Sequence, residues 1–169
     1  MKDVNSLPPK PKKPNDSNEE NIHIASAFRA VNNAIQTVPA NTFVKVNYQL
    51  QQFDLANEYN PGTSTFRPNK NGVYLVSATI SFAPNNNNVN YRARIEIRVN
   101  GRPAIAIDND FFGPINFGNV VNVSSILKLR ANDQVEVFAQ SSTAGFIAVN
   151  AAGEVSTHFE AARFPSPTK

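Results

Sequence analysis

Side chains able to do covalent chemistry are few. His23 and His158 are the only imidazoles in 169 residues, and there is no cysteine. Without Cys there is no thiolate nucleophile, no Cys-based metal site and no disulfide. The two histidines lie far apart and form no His-x-x-x-His or related ligand spacing. His158 and Glu160 stand two positions apart, on one face of a predicted strand. That placement suits a cross-strand pair better than a catalytic dyad. No Gly-x-Ser-x-Gly turn surrounds Ser141-Ser142-Thr143-Ala144-Gly145, and no Gly-rich phosphate loop occurs. The residues point to a protein that binds and does not catalyse.

Three groups could bind. Asp108, Asn109 and Asp110 offer oxygen ligands in one stretch, as a calcium site would. The competing reading is an Asx-type turn, with Asp108 and Asp110 accepting from the backbone. Phe111, Phe112 and Phe117 follow in the same stretch. Phenylalanines in a loop either cover a sandwich end or a subunit interface, or form an apolar ligand site. Arg92, Arg94 and Arg98 line one strand face with Glu96 among them. Such a face is either solvated, or a patch for an acidic partner or a neighbouring subunit. The ligand-binding candidates are thus Phe111, Phe112, Arg92 and Arg94, and the metal candidates are Asp108 and Asp110.

The elements that must position these residues are strands. Residues 73–82 form the longest β-like run, with Tyr74, Val76, Ala78, Ile80 and Phe82 on one face. Residues 91–99 alternate cleanly, with Tyr91, Ala93, Ile95, Ile97 and Val99 opposite the charged face. Asn100-Gly101 is a favoured type I′ hairpin pair, so residues 104–107 should return as a strand. A loop is expected over 108–118. A strand over 119–129 follows, then a turn at Ala131-Asn132-Asp133 and a strand over 135–139. Phe146, Ile147 and Val149 suggest a short strand, and a closing strand over 157–164 stops at Pro165. Earlier in the chain, Ile24, Phe28, Val31 and Ile35 have helical spacing, but the same segment also reads as a strand. Residues 42–50 alternate as a strand, with Phe53 in a further short segment. Asn60-Pro61-Gly62-Thr63 and Asn69-Lys70-Asn71-Gly72 are turns. About eight to ten antiparallel strands and no convincing helix imply an all-β jelly-roll β-sandwich. Its core or subunit contacts are expected to hold Tyr74, Phe82, Leu127, Phe138 and Phe159.

Composition narrows the partners. The formal charge is +3, and Lys2, Lys10, Lys12 and Lys13 concentrate it near the N-terminus. The remainder is nearly balanced, which gives no support to nucleic-acid binding. No apolar stretch reaches the roughly 20 residues of a membrane span, and no signal-peptide h-region is visible. Residues 1–21 carry Leu7-Pro8-Pro9-Lys10-Pro11-Lys12-Lys13-Pro14. They read as a disordered tether, with a docking signal as the rival. Residues 22–169 form the folded domain.

Several segments, in order, resemble the complement component 1q globular-head family. The first is Tyr59-Asn60-Pro61-Gly62-Thr63-Ser64-Thr65-Phe66-Arg67-Pro68, followed by Gly72-Val73-Tyr74. Ala27-Phe28 is similar to the family's opening strand, and Val99-Asn100-Gly101 to its hairpin. Leu127-Lys128-Leu129-Arg130-Ala131-Asn132-Asp133-Gln134-Val135 resembles its Leu-x-Leu-x-x-Gly-Asp-x-Val segment, with Asn132 in place of the turn glycine. Thr157-His158-Phe159-Glu160-Ala161 resembles its closing strand. The resemblance spans roughly residues 24–164 and implies the jelly roll shared with tumour necrosis factor ligands. It also implies homotrimers; the partner expected for such a module is an unidentified protein or carbohydrate ligand, met outside the cell. Lys128 stands where calcium-binding relatives carry a carboxylate, so calcium is implied only weakly and no other cofactor is. No collagen-type Gly-x-y run is present. The Asn-rich loops and absent Cys look more like bacterial or phage members, on a cell, spore or particle surface.

Overall fold

The computed structural model describes residues 25–115, 118–149 and 157–165. The expectations for residues 1–21, His23, Ile24 and Phe117 lie outside them. Thirteen strands follow in order: β1 (Ala27–Val31), β2 (Gln36–Val38), β3 (Val44–Lys45), β4 (Leu50–Asp54), β5 (Tyr59–Asn60), β6 (Thr65–Phe66) and β7 (Gly72–Pro84). Then come β8 (Tyr91–Val99), β9 (Arg102–Phe111), β10 (Asn119–Leu129), β11 (Val135–Ser141), β12 (Gly145–Ile147) and β13 (His158–Arg163). The surplus over eight to ten comes from two- and three-residue pieces that pair only briefly. Among the described residues there is no helix.

Two antiparallel sheets make the sandwich. The first runs β2-β12-β7-β13-β1-β4, and β10 pairs with β7 along its other edge. The second runs β5-β6-β11-β8-β9, with β3 beside β11. Strand β7 is long enough to pair with β10 from Gly72 to Phe82, and with β13 and β12 in turn on the opposite side. Tyr74, Val76, Ala78, Ile80 and Phe82 point inward and meet Tyr91, Ala93, Ile95 and Ile97 of β8 in one core. Phe28 anchors an aromatic cluster there, stacked on Tyr59 at 4.5 Å and on Phe66 at 4.8 Å, with Phe159 edge-on at 5.0 Å. Offset and edge-on geometries of this kind are the favoured ones for ring quadrupoles.

Residues 27–31 settle as strand and not helix. Phe28 and Ala30 go inward and Arg29 outward, while both edges of β1 are taken, by β13 and β4. The expected strand over 42–50 is interrupted. Between β3 and β4 the backbone forms no ladder and bonds to scattered partners, Val46 N–H to the Val137 carbonyl, Asn47 N–H to the Gln36 side-chain oxygen and Tyr48 N–H to the Ser64 hydroxyl. The side chains of Val46 and Tyr48 are nonetheless fully buried. Asn100 (φ 52°) and Gly101 (φ 77°) make the hairpin turn between β8 and β9, and Asn132 adopts φ 68° where the family motif has glycine. Asn tolerates this left-handed region better than other side chains, because its amide can bond locally. Two expectations need correction. The loop placed over 108–118 is strand as far as Phe111, because Asp108 and Asp110 point outward to arginines across the hairpin. Phe138, expected in the core or at a subunit contact, is not in the core. Val135, Val137 and Ala139 take the inward positions of β11, so Phe138 faces out, half-buried. Tyr74, Phe82 and Phe159 are buried as expected, and Leu127 packs on the core edge.

Candidate functional site

Strands β8 and β9 form a hairpin whose register sets Arg92 opposite Asp110 and Arg94 opposite Asp108. Residues two apart on a strand share a face, so all four side chains project from the outer face of the second sheet. Arg92 Nε donates to Asp110 Oδ1 at 2.9 Å, and Arg94 Nη1 to Asp108 Oδ2 at 2.9 Å. On the other side of β8, strand β11 places Gln140 opposite Arg94, and the Ser142 hydroxyl accepts the Arg92 backbone N–H at 2.9 Å. Gln140 Nε2 in turn donates to the Asn41 carbonyl at 3.0 Å. At the end of the hairpin Asn90, Phe111 and Phe112 close the rim. Together these residues enclose a groove of about 480 Å³.

The groove is braced from below. Glu96 lies one row further along β8, and only 1% of it reaches solvent although its face is the outer one. Arg94 Nε and Nη2 both donate to Glu96 Oε2 at 3.1 Å, while Arg98 bonds the other oxygen. The Arg98 guanidinium lies 3.9 Å above the Phe138 ring and 4.8 Å from Phe43. Two guanidinium groups thus hold the buried carboxylate, and the Phe43 and Phe138 rings lie against Arg98. A charge-assisted fork of this kind fixes Arg94 in one orientation. Arg94 therefore arrives at Asp108 already held.

Electrostatically the groove cancels its own charge. The hydrogen bond from Arg92 holds the Asp110 carboxyl below its ordinary range, and the same bond raises the Arg92 guanidinium. The six residues expected to bind, Arg92, Arg94, Asp108, Asp110, Phe111 and Phe112, all line this one groove. Phe111 packs on the Tyr91 ring at 5.2 Å, whereas Phe112 is 74% exposed. Asp108 and Asp110 sit on a strand, each engaged by an arginine. Among the described residues no group of three or more His, Asp or Glu side chains is gathered as a metal site. Asn41, Asn90, Gln140 and Ser142 belong to the groove, and sequence reasoning did not find them. Only the alternation of β11, which sends Gln140 to the same face as Phe138, carried a signal.

The outer face of the first sheet has a different character. Its register lines up Ala27, Ala162, Leu75 and Ile126 across four strands. Leu75 is 40% and Ile126 63% exposed, and Phe53 and Val120 lie open on the same sheet. Phe53, Leu75, Ala27 and Ala162 surround an apolar dent of about 130 Å³. The neighbouring row is polar. Arg29 pairs with Glu160, whose other oxygen lies 4.0 Å from His158 Nε2. Further along, Asn122 Nδ2 donates to the Thr79 hydroxyl at 2.7 Å. His158 and Glu160 are thus companions in a surface row, with Glu160 committed to Arg29.

No protein-family model and no curated relative matches the sequence. Solved structures do match. Eiger, a tumour necrosis factor from S. frugiperda, is 12% identical with a TM-score of 0.60, over 86% of this chain and 95% of that one. Murine APRIL at pH 5.0 is 12% identical with a TM-score of 0.60, over 83% of this chain and 99% of that one. The globular domain of zebrafish complement 1qA is 15% identical with a TM-score of 0.55, over 85% of this chain and 99% of that one. Identities this low establish a fold and not a function. The chain has the jelly-roll fold common to tumour necrosis factor proteins and complement 1q globular domains.

Proposed function

We propose that the chain is a non-enzymatic homotrimeric recognition module, displayed outside the cell on a bacterial surface, spore or phage particle. Three copies associate through the outer face of the first sheet, and each offers its groove on the second. The observation that carries this reading is the apolar row Ala27–Ala162–Leu75–Ile126, which a single chain leaves facing water. A contiguous apolar patch on a sheet face marks an interaction surface, because burying it removes that area from water. The number three comes from the family resemblance of the motifs, and the surface location comes from that resemblance as well. The reading needs no calcium, since arginines already neutralise Asp108 and Asp110. A purely structural trimerisation cap would use the same apolar face. The groove, with its exposed Phe112 and braced Arg94, favours recognition.

The test is a double variant, Leu75→Lys with Ile126→Lys. Both side chains are already partly exposed, so the isolated fold should survive by far-UV circular dichroism. The mass should fall from trimer to monomer. A variant that keeps the wild-type assembly would show that this face is not the interface.

A further inference from the structure

We infer that the groove on the outer face of β8 and β9 binds a neutral, polyhydroxylated ligand, namely an uncharged sugar unit of a glycan. This rests on the recognition reading above and assigns its ligand class.

The lining decides between ligand classes by charge. Two guanidinium groups and two carboxylates face the groove, matched one to one across the hairpin. A polyanion would gain the arginines only by approaching Asp108 and Asp110. A cation would gain the carboxylates only by displacing guanidinium nitrogens 2.9 Å away. A sugar hydroxyl is donor and acceptor at once, so it can bridge an arginine N–H and the adjacent carboxylate without separating them. Vicinal hydroxyls repeat that pattern along the two rows Arg92–Asp110 and Arg94–Asp108. Arg92 and Asp110 are reachable for this, with 60% and 57% of their side chains exposed.

Size and shape agree. About 480 Å³ falls within the usual range for small-ligand sites and takes one or two sugar rings. Phe112 stands at the rim with 74% of its surface in water, adjoining the polar rows. A ring so placed loses apolar hydration when the C–H face of a sugar stacks on it. Gln140 and Ser142 add an amide and a hydroxyl on the far wall. Preorganisation comes from Glu96, which holds Arg94 before any ligand arrives. An open groove of this size binds weakly per copy, so avidity across copies would supply useful affinity.

The experiment uses the whole chain on a printed array of neutral, sialylated and sulfated glycans, with immobilised heparin alongside. Wild type should be retained on a subset of neutral glycans. Phe112→Ala and Asp110→Asn should each lower that retention about tenfold or more, the scale of one stacking contact or one charged hydrogen bond. Lys70→Ala, a surface change away from the groove, should leave retention unchanged. The light-scattering mass of every variant should match wild type. Three outcomes overturn the inference: no glycan retained, retention chiefly on heparin or on sialylated or sulfated glycans, or neutral retention indifferent to both groove variants. An intact trimer that retains no glycan would discard the sugar and keep the assembly. A monomer that retains neutral glycans through Phe112 would keep the sugar and discard the trimer.

Discussion

Replacing Glu96 with Gln removes one charge and almost no volume, from a site where 1% of the residue touches water. Both its oxygens are claimed, one by Arg94 through two hydrogen bonds and the other by Arg98. Breaking a fully buried ion pair by neutralising one partner costs about 3–5 kcal/mol. Here the arginine side chains are 30% and 20% exposed, so water recovers part of their solvation. The expected cost is therefore nearer to about 2 kcal/mol, or roughly 4–8 °C in Tm for a chain of this size. Thermal melts at one matched protein concentration read it, since an oligomer's Tm depends on concentration. The same variant should weaken ligand retention, because Arg94 loses its brace although Glu96 touches no ligand. Replacing the group together (Arg94→Met, Glu96→Leu and Arg98→Met) should cost less than Glu96→Gln alone, because no buried charge is left uncompensated. A Glu96→Gln Tm within about 1 °C of wild type would refute the reasoning, as exposed ion pairs contribute on that small scale.

Four further outcomes are expected. Gly145→Ala places a Cβ 2.3 Å from the Ala83 carbonyl oxygen and 2.5 Å from the Phe82 ring. It should therefore lower stability by about 1–3 kcal/mol, read by urea unfolding. Asn132→Gly should be nearly neutral, whereas Asn132→Val should cost about 1–2 kcal/mol at φ 68°. Acid should destabilise. The Arg130 backbone N–H and the Asn100 amide hold Asp133 below its ordinary range; burial alone would raise Glu136, but hydrogen bonds and charge from its neighbours, Lys45 foremost, hold it down. Depressed carboxyls stabilise above their unfolded pKa and lose that contribution as protons bind, so Tm should hold above about pH 5 and fall below about pH 4. Melts at pH 7, 5 and 3.5 that rose on acidification would contradict this. EDTA or added calcium should shift neither mass nor Tm, and a chelator-dependent mass would return Asp108 and Asp110 to the role of ligands.

The core strands were legible because one physical cause, burial on one sheet face, writes itself into adjacent residues. Residues 73–82 and 91–99 show it plainly, and Asn100-Gly101 supplied its own turn geometry. The same rule could have placed Phe138, since Val135, Val137 and Ala139 already claim the inward side of β11. Its apolar character suggested core or a subunit contact, and within the chain it meets the Arg98 guanidinium. The end of β9 was unreadable locally. Asp108-Asn109-Asp110 favours turns by propensity, and only arginines on the partner strand make those residues extended. Nor could one segment reveal the groove, whose walls come from Asn41, β8, β9 and the end of β11. The charged residues were individually conspicuous, but their convergence is a property of register.

Solution mass by light scattering after gel filtration decides whether copies associate through the first sheet. Three times the 18.5 kDa chain mass, unchanged by EDTA, is expected. A single species at 18.5 kDa across dilution would contradict it and leave the apolar row Ala27–Ala162–Leu75–Ile126 unexplained.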